Sequence, residues 1–313
     1  MKVNAEKQII LITGASSFTG RYVINQLLLK SQSMLVLTSR KPETLSSYQN
    51  PRIHITAADL TNPQSFKAIF ETYPITTVIH LAAMARLREG EQNPAEAINI
   101  NLIGTLALKK LAAEYGVDTF VFTSSDLARE ATSVVGMCKY LIEEAFRLTE
   151  APSPRLVTIR MPNITDSSGA VTLLFKKQIE QDGPVTITHK KMSRRFVSGE
   201  NAAKIICHAA LSGNHHDLFV NLDKATNILD LAKQMILNSG KTIEVKTIGA
   251  QPGERLAEKG YLQEEVNRST VHGWGTLKNN EVNFHETGRM VKALIALLSP
   301  ENNGLIKILK TEF

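Results

Sequence analysis

The feature that most restricts the fold is a rhythm in the first half of the chain. Short runs of β-branched and aliphatic residues (9–13, 34–38, 53–57, 77–81, 119–123 and 156–160) alternate with helical patterns (20–30, 63–72, 95–115 and 137–148). Such alternation predicts an α/β fold, a doubly wound parallel sheet with helices on both faces. Right-handed crossovers then line up the C-terminal ends of the strands, and any ligand, along one edge. After Pro162 the rhythm loosens. Helices are expected at 171–181, 199–212 and 228–239, with short strands at 185–188, 218–221 and 244–248. With no linker or repeat, two interleaved units are expected: residues 1–165 plus about 196–225, and a smaller lobe of about 166–195 plus 226–313.

Composition narrows the class. A chain of 313 residues, 43% hydrophobic and 21% charged, can bury a large core. The net charge of +6 suits an anionic ligand, but the basic residues are scattered and form no nucleic-acid-binding element. Cys138 and Cys207 have no metal-ligand spacing and read as buried thiols, so no metal is expected. No apolar run approaches the about 18 residues that span a bilayer, and residues 1–8 are polar, without a signal-peptide core. A cytoplasmic protein without membrane contact is expected.

The first strand runs into Gly14-Ala15-Ser16-Ser17-Phe18-Thr19-Gly20 and then a helix. Glycines there let a pyrophosphate approach backbone N–H groups at a helix N-terminus, which marks a Rossmann-type dinucleotide site. Ser17 stands where a middle glycine is usual; it either donates a hydroxyl to a phosphate or crowds the turn. The second strand leads into Ser39-Arg40-Lys41, where an NAD enzyme usually has an acidic residue. Two cations favour the 2′-phosphate of NADP(H) over NAD(H), against the alternative of two solvated loop cations. Asp59-Leu60 suits the adenine amine, or Asp59 caps the helix after Pro63. Leu81-Ala82-Ala83 lets the chain pass close to the cofactor, and His80 reads as a packed, hydrogen-bonded histidine.

These residues resemble the extended short-chain dehydrogenase/reductases, and more narrowly the CapD-type polysaccharide-biosynthesis proteins typified by UDP-N-acetylglucosamine 4,6-dehydratases. The resemblance runs from about Ile9 to about Glu258. Its carriers are Thr38-Ser39-Arg40, Asn93-Pro94-Ala95-Glu96, Asn101-Leu102-Ile103-Gly104-Thr105, 169–196 with Met192-Ser193-Arg194-Arg195-Phe196, and Pro252-Gly253-Glu254-Arg255-Leu256. It implies NADP, with Asn101 and Lys139 among the cofactor contacts, and a homo-oligomer. It also implies a UDP-sugar among Arg86, Asn163, Gln178, Met192, Arg194 and Glu254, with Arg194 first for phosphate. Met192 as packing and Glu254 as a cap stay open.

The resemblance also exposes departures. The family's Ser-Thr-Asp-Lys-Ala is Ser124-Ser125-Asp126-Leu127-Ala128, and Val135 stands at the Tyr/Met position four residues before Lys139. Leucine cannot abstract a proton, so 5,6-elimination needs another base or does not happen. Family positions also change at Ala85-Arg86, Arg160-Met161-Pro162-Asn163 and Gln251. The expected catalytic group is therefore Ser125, Asp126 and Lys139. The expected function is an NAD(P)-dependent nucleotide-sugar epimerase/dehydratase-like protein exchanging hydride at carbon 4 of a UDP-sugar, with ordinary 4,6-dehydration placed behind it. The alternative is a catalytically inactive, cofactor-binding homologue with a regulatory or structural role. Trp274, in the divergent segment 268–289, shapes the sugar pocket or packs at the surface. The apolar tail 305–309 is expected to dock on its own or a neighbouring subunit.

Overall fold

The computed structural model describes residues 8–150, 154–167, 169–269, 273–278, 283–298 and 300–312. Residues 1–7 and parts of the divergent segment 268–289 lie outside these. In chain order the elements are β1 (Ile9–Thr13), α1 (Phe18–Lys30), β2 (Met34–Ser39), β3 (Ile53–Ala57), α2 (Pro63–Thr72), β4 (Thr77–His80), α3 (Leu87–Gln92), α4 (Pro94–Ile98) and α5 (Gly104–Glu114). They continue through β5 (Thr119–Ser125), α6 (Val134–Arg147), β6 (Arg155–Met161), β7 (Asn163–Ile164), α7 (Val171–Glu180), β8 (Val185–Ile187), β9 (Ser193–Arg194) and β10 (Phe196–Val197). The last are α8 (Gly199–Ser212), β11 (Leu218–Asn221), β12 (Thr226–Asn227), α9 (Ile228–Asn238), β13 (Val245–Thr247), β14 (Val266–Ser269), β15 (Trp274–Leu277), α10 (Phe284–Ala296) and α11 (Asn303–Glu312).

Nine strands form one sheet in the order β14-β15-β11-β6-β5-β4-β1-β2-β3. The strands from β3 to β11 are parallel, and β15 and β14 add antiparallel at one edge. The expected Rossmann-type α/β fold is thus present. Strands buried on both faces are mainly apolar, as Ile9–Ile12 of β1 are, because helices cover both sides. One core lies between the sheet and α2, α5 and α6, and the other between the sheet and α1 and α8. Serines start three of these helices: Ser17, Ser133 and Ser198 each accept an N–H from the first turn of α1, α6 and α8.

A third core joins Phe175 and Ile179 of α7, Val185 and Ile187 of β8, Met192, and Ile228, Ala232 and Ile236 of α9. This satellite lies beyond β6, where the sequence rhythm loosens. Strands β14 and β15, grouped by sequence with the smaller lobe, instead hydrogen-bond into the main sheet. Trp274 is in neither expected place. It is 1% exposed and packs in the α1–α8 core, because β15 extends the sheet beside β11.

The single helix expected at 95–115 is broken. A π-type turn over Asn99–Ile103 separates α4 from α5. The turn presents Asn101, whose amide Oδ1 accepts the Met84 N–H and whose Nδ2 donates to the Met84 carbonyl. The apolar tail docks on its own fold: Leu309 of α11 is fully buried, and Leu305 and Ile306 pack on the core that also holds Met290 and Leu294 of α10.

Candidate active site

The glycine turn brings β1 against β4. Gly14 has φ +66°, and a Cβ there would lie 2.7 Å from the Ala82 amide nitrogen, so both conformation and space demand glycine. Ser17 Oγ accepts the Gly20 N–H at 3.0 Å. Its hydroxyl therefore serves as the α1 N-cap, a role not among those weighed from sequence. Phe18 and Thr19 form the first turn of α1, with Phe18 against Tyr22 at 5.1 Å between ring centres.

A chain of hydrogen bonds fixes the floor of this edge. Thr13 Oγ1 accepts the Leu81 and Ala82 N–H groups and donates to His80 Nδ1 at 2.7 Å. His80 Nε2–H donates to Thr105 Oγ1 at 2.9 Å, and Thr105 donates to the Asn101 carbonyl. Only the neutral Nε2–H tautomer satisfies every partner. Burial, with a smaller contribution from Lys139, pushes the imidazole down to about 3. His80 is thus the packed, hydrogen-bonded residue expected, and it ties β1, β4 and α5 together.

Beside the second strand, Ser39 Oγ bonds Ser16 Oγ at 3.1 Å and accepts the Lys41 N–H. Arg40 is exposed and lines a cleft of about 200 Å³ with Ala57, Ala58, Asp59 and Ser65. Asp59 does not cap α2, whose N-cap is Asn62. Instead its Oδ1 accepts from Thr61 N and Oγ1 in a local turn. Leu60 packs behind it against Gly104.

Ser125 ends β5 and Asp126 follows it, while Lys139 of α6 reaches the carbonyl of Thr123 in the same strand. Ser125 Oγ accepts the Leu127 N–H. Lys139 is buried on α6, donates from Nζ to the Thr123 carbonyl at 2.8 Å, and lies 4.5 Å from the centre of the Phe122 ring. Burial lowers its ammonium to about 8, with Cys138 and Glu143 opposing. Asp126 is 2% exposed, and its Oδ2 receives both Nε and Nη2 of Arg195, at 3.2 and 3.1 Å. Burial raises Asp126 to about 6 against the pull of Arg195 and Arg160. Val135, at the missing hydroxyl's position, is 2% exposed and pressed on Gly90 of α3.

Sequence reasoning missed the charges that frame these groups. Glu143 lies one turn after Lys139 on α6, accepts Ser124 Oγ–H, and forms a buried pair with Arg160 of β6. Arg160 Nη1 also donates to the Gly260 carbonyl at 2.8 Å. The loop at 258–261 closes over Asp126: a Cβ on Gly260 would lie 2.0 Å from Asp126 Oδ1, and Tyr261 faces the Arg195 guanidinium at 4.8 Å. A lysine–glutamate pair at i, i+4 was the visible signal for Glu143. Arg195 and Glu258 meet partners more than sixty residues away, beyond any local pattern.

The expected substrate residues divide into separate groups. Arg194 is buried and pairs with Glu258 at 2.8 Å, while Asn163 Nδ2 donates to the other Glu258 oxygen at 3.3 Å. Burial raises the Glu258 carboxyl against these partners. Gln178 is engaged with Thr186, joining α7 to β8, and Met192 packs in the satellite core. Glu254 accepts the Gln251 N–H and closes its own turn. Arg86 is exposed at the start of α3 and pairs with Glu89. Among the described residues no metal-binding cluster occurs and no helix is long and apolar enough to cross a membrane.

Known proteins resemble this chain in sequence and in fold. EpsC of Bacillus subtilis, a probable polysaccharide biosynthesis protein, is 31% identical over 277 residues, covering 84% of this chain and 46% of EpsC. The chain therefore spans about half the length of that relative. The UDP-glucose 4-epimerase of Rickettsia rickettsii is 29% identical over 272 residues, covering 82% of this chain and 78% of the epimerase. Among solved structures, Pen from Bacillus thuringiensis superimposes with a TM-score of 0.79 at 24% identity, over 89% of this chain and 93% of Pen. The family model described as polysaccharide biosynthesis protein matches residues 10–277, and the chain belongs to that family.

Proposed function

We propose that the protein is an NADP(H)-dependent nucleotide-sugar enzyme that exchanges hydride at carbon 4 of a UDP-sugar, such as one like UDP-N-acetylglucosamine. The observation carrying this reading is the shared edge of the sheet. The Gly14–Gly20 turn opens onto α1; two strands away Asp126 follows β5, and Lys139 of α6 bonds the Thr123 carbonyl of that strand. A bound dinucleotide would have its pyrophosphate over the α1 N-terminus. Arg40 and Lys41 would meet a 2′-phosphate where NAD enzymes place an acid. The cofactor would supply the hydride acceptor.

From this chain come the proton and the field. Asp126 can take the 4-hydroxyl proton, and the Lys139 ammonium lowers the cost of the alkoxide. Leu127 and Val135 offer no second acid or base, so hydride exchange, as in epimerisation or reduction, is favoured over 4,6-dehydration. Asn163, Gln178, Arg194 and Glu254, with Arg86 and Met192 at the margin, are assigned to the nucleotide sugar. For Arg194 this requires exchange of Glu258 for phosphate oxygens. A cytoplasmic homo-oligomer completes the proposal.

Purified protein mixed with NADP(H) and a panel of UDP-sugars and their 4-keto forms tests it, with absorbance for cofactor and NMR for the sugar. Tight cofactor binding with neither turnover nor isotope exchange refutes it. That result favours the inactive, cofactor-binding homologue, a reading that the closure of 258–261 on Asp126 supports.

A further inference from the structure

Asp126 is buried at the end of β5, and its neighbours in sequence carry no counter-charge: Ser125 is neutral and Leu127 is apolar. A carboxylate in such a place needs a cation from elsewhere in the fold. Three charged side chains face it, from three elements. Arg195 reaches it from between β9 and β10, Arg160 comes from β6, and Glu258 stands on the closing loop. Arg160 is committed to Glu143 and the Gly260 carbonyl, and Glu258 to Arg194 and Asn163. Of these three side chains Arg195 alone is hydrogen-bonded to Asp126, and both its donors end on one oxygen, Oδ2. Oδ1 packs under the closing loop: a Cβ on Gly260 would lie 2.0 Å from Oδ1 and 2.7 Å from Arg195 Nη2.

We infer that Arg195 is a positioning residue for Asp126: it supplies the positive charge that residue 127 lacks and holds the carboxylate through Oδ2. The inference rests on the proposed function. In that reaction the Asp126 carboxylate would take the 4-hydroxyl proton, and a bound nicotinamide would supply the hydride acceptor. The reverse step returns the proton. Arg195 itself stays protonated throughout, since its guanidinium does not titrate in the working range. Its Nη2 also reaches toward the Glu258 carbonyl at 3.4 Å, and Tyr261 covers its face. The same side chain thus holds the loop that closes the site and the carboxylate beneath it. Adjacent Arg194 points to Glu258, so two consecutive arginines serve both the charge cluster and the proton-exchanging group.

The test is an NMR titration of the aspartate carboxyl carbons in the full chain, with Asp126 assigned as the signal lost in Asp126→Asn. Arg195→Gln is expected to raise the Asp126 midpoint by about one pH unit or more. Arg195→Lys, which keeps the charge, shifts it less, and Leu127→Lys placed on Arg195→Gln brings it back by at least half. With substrate, Arg195→Gln lowers kcat by about tenfold or more with KM little changed, and the limb of the pH–rate profile due to Asp126 moves with the midpoint. An unmoved midpoint in both single variants overturns the inference. So does a loss of rate uniform across pH. A moved midpoint in a protein that turns over no UDP-sugar refutes the proposed function and leaves the assignment of charge standing.

Discussion

His80 offers a test of the architecture that does not depend on any activity. The imidazole is buried between Thr13 and Thr105, flanked by Phe120 and Phe122, and held near 3 instead of its ordinary 6.5. The unfolded chain therefore binds a proton below pH 6.5 that the folded chain refuses. The stability from neutral His80 is fully present above 6.5 and is lost as pH falls toward 3. The slope is about 1.4 kcal/mol per pH unit. From pH 6.5 to 4 this amounts to about 3 kcal/mol. Asp126 works in the opposite direction: raised to about 6 from 3.8, its contribution is present at low pH and lost as pH rises through 6. The two slopes nearly cancel between pH 6 and 4 in the wild type. A variant must therefore isolate the histidine. His80→Gln keeps one donor and one acceptor but cannot titrate. Urea unfolding of both proteins at pH 6.5, 5.5, 4.5 and 4.0 is expected to show the wild type's advantage shrinking by about 3 kcal/mol across the series. A difference that stays flat with pH would refute the neutral, double-bonded histidine.

Four further outcomes are expected. Gly14→Ala should weaken dinucleotide binding by about tenfold or more, read by fluorescence titration, because the Ala82 backbone occupies the space of the new Cβ. Glu143→Gln should cost about 3–5 kcal/mol in urea unfolding, since Arg160 would be left buried without its carboxylate; replacing both by apolar residues should cost much less. Arg40→Asp should lower affinity for NADP(H) by about tenfold or more while leaving NAD(H) within a few-fold. Val135→Tyr alone should destabilise by about 1–3 kcal/mol, because Gly90 of α3 already touches the valine; a gain of turnover without loss of stability would contradict that packing.

The sheet was legible because its central strands are covered on both sides, so β1, β2 and β4 to β6 announce themselves by apolar runs, and β3 by its β-branched residues. The two-fold failure came where that logic lapses. Strands β14 and β15 extend one edge, and Arg268 or Thr276 at such an edge carry no apolar signature. The π-type turn at Asn99–Ile103 follows from a tertiary bond of Asn101 to Met84, which helical period cannot reveal. In the site, Lys139 and Asp126 were readable because they sit at fixed offsets from a strand end. The counter-ions were not: Arg195 lies 69 residues from Asp126, and Glu258 lies 64 residues from Arg194. Local sequence identified which groups carry charge; folding alone decided which charges meet.

That division bears on how the site could have lost and kept function. Residue 127 lacks a cation and residue 135 lacks a hydroxyl, yet the two losses differ in physical kind. Val135 has been absorbed into packing against α3, so its position is closed to a larger side chain unless α3 moves. Leu127 remains half-buried beside Asp126, while a guanidinium from another element occupies the charge role there. A buried carboxylate left alone would stay protonated across the working pH range; held by Arg195, it titrates near 6 and can both accept and return a proton at neutral pH. One such group is enough for hydride exchange at a single carbinol and too few for elimination, which needs a base and an acid on neighbouring carbons. The charge arrangement, more than the missing residues, is what directs the proposed chemistry toward carbon 4.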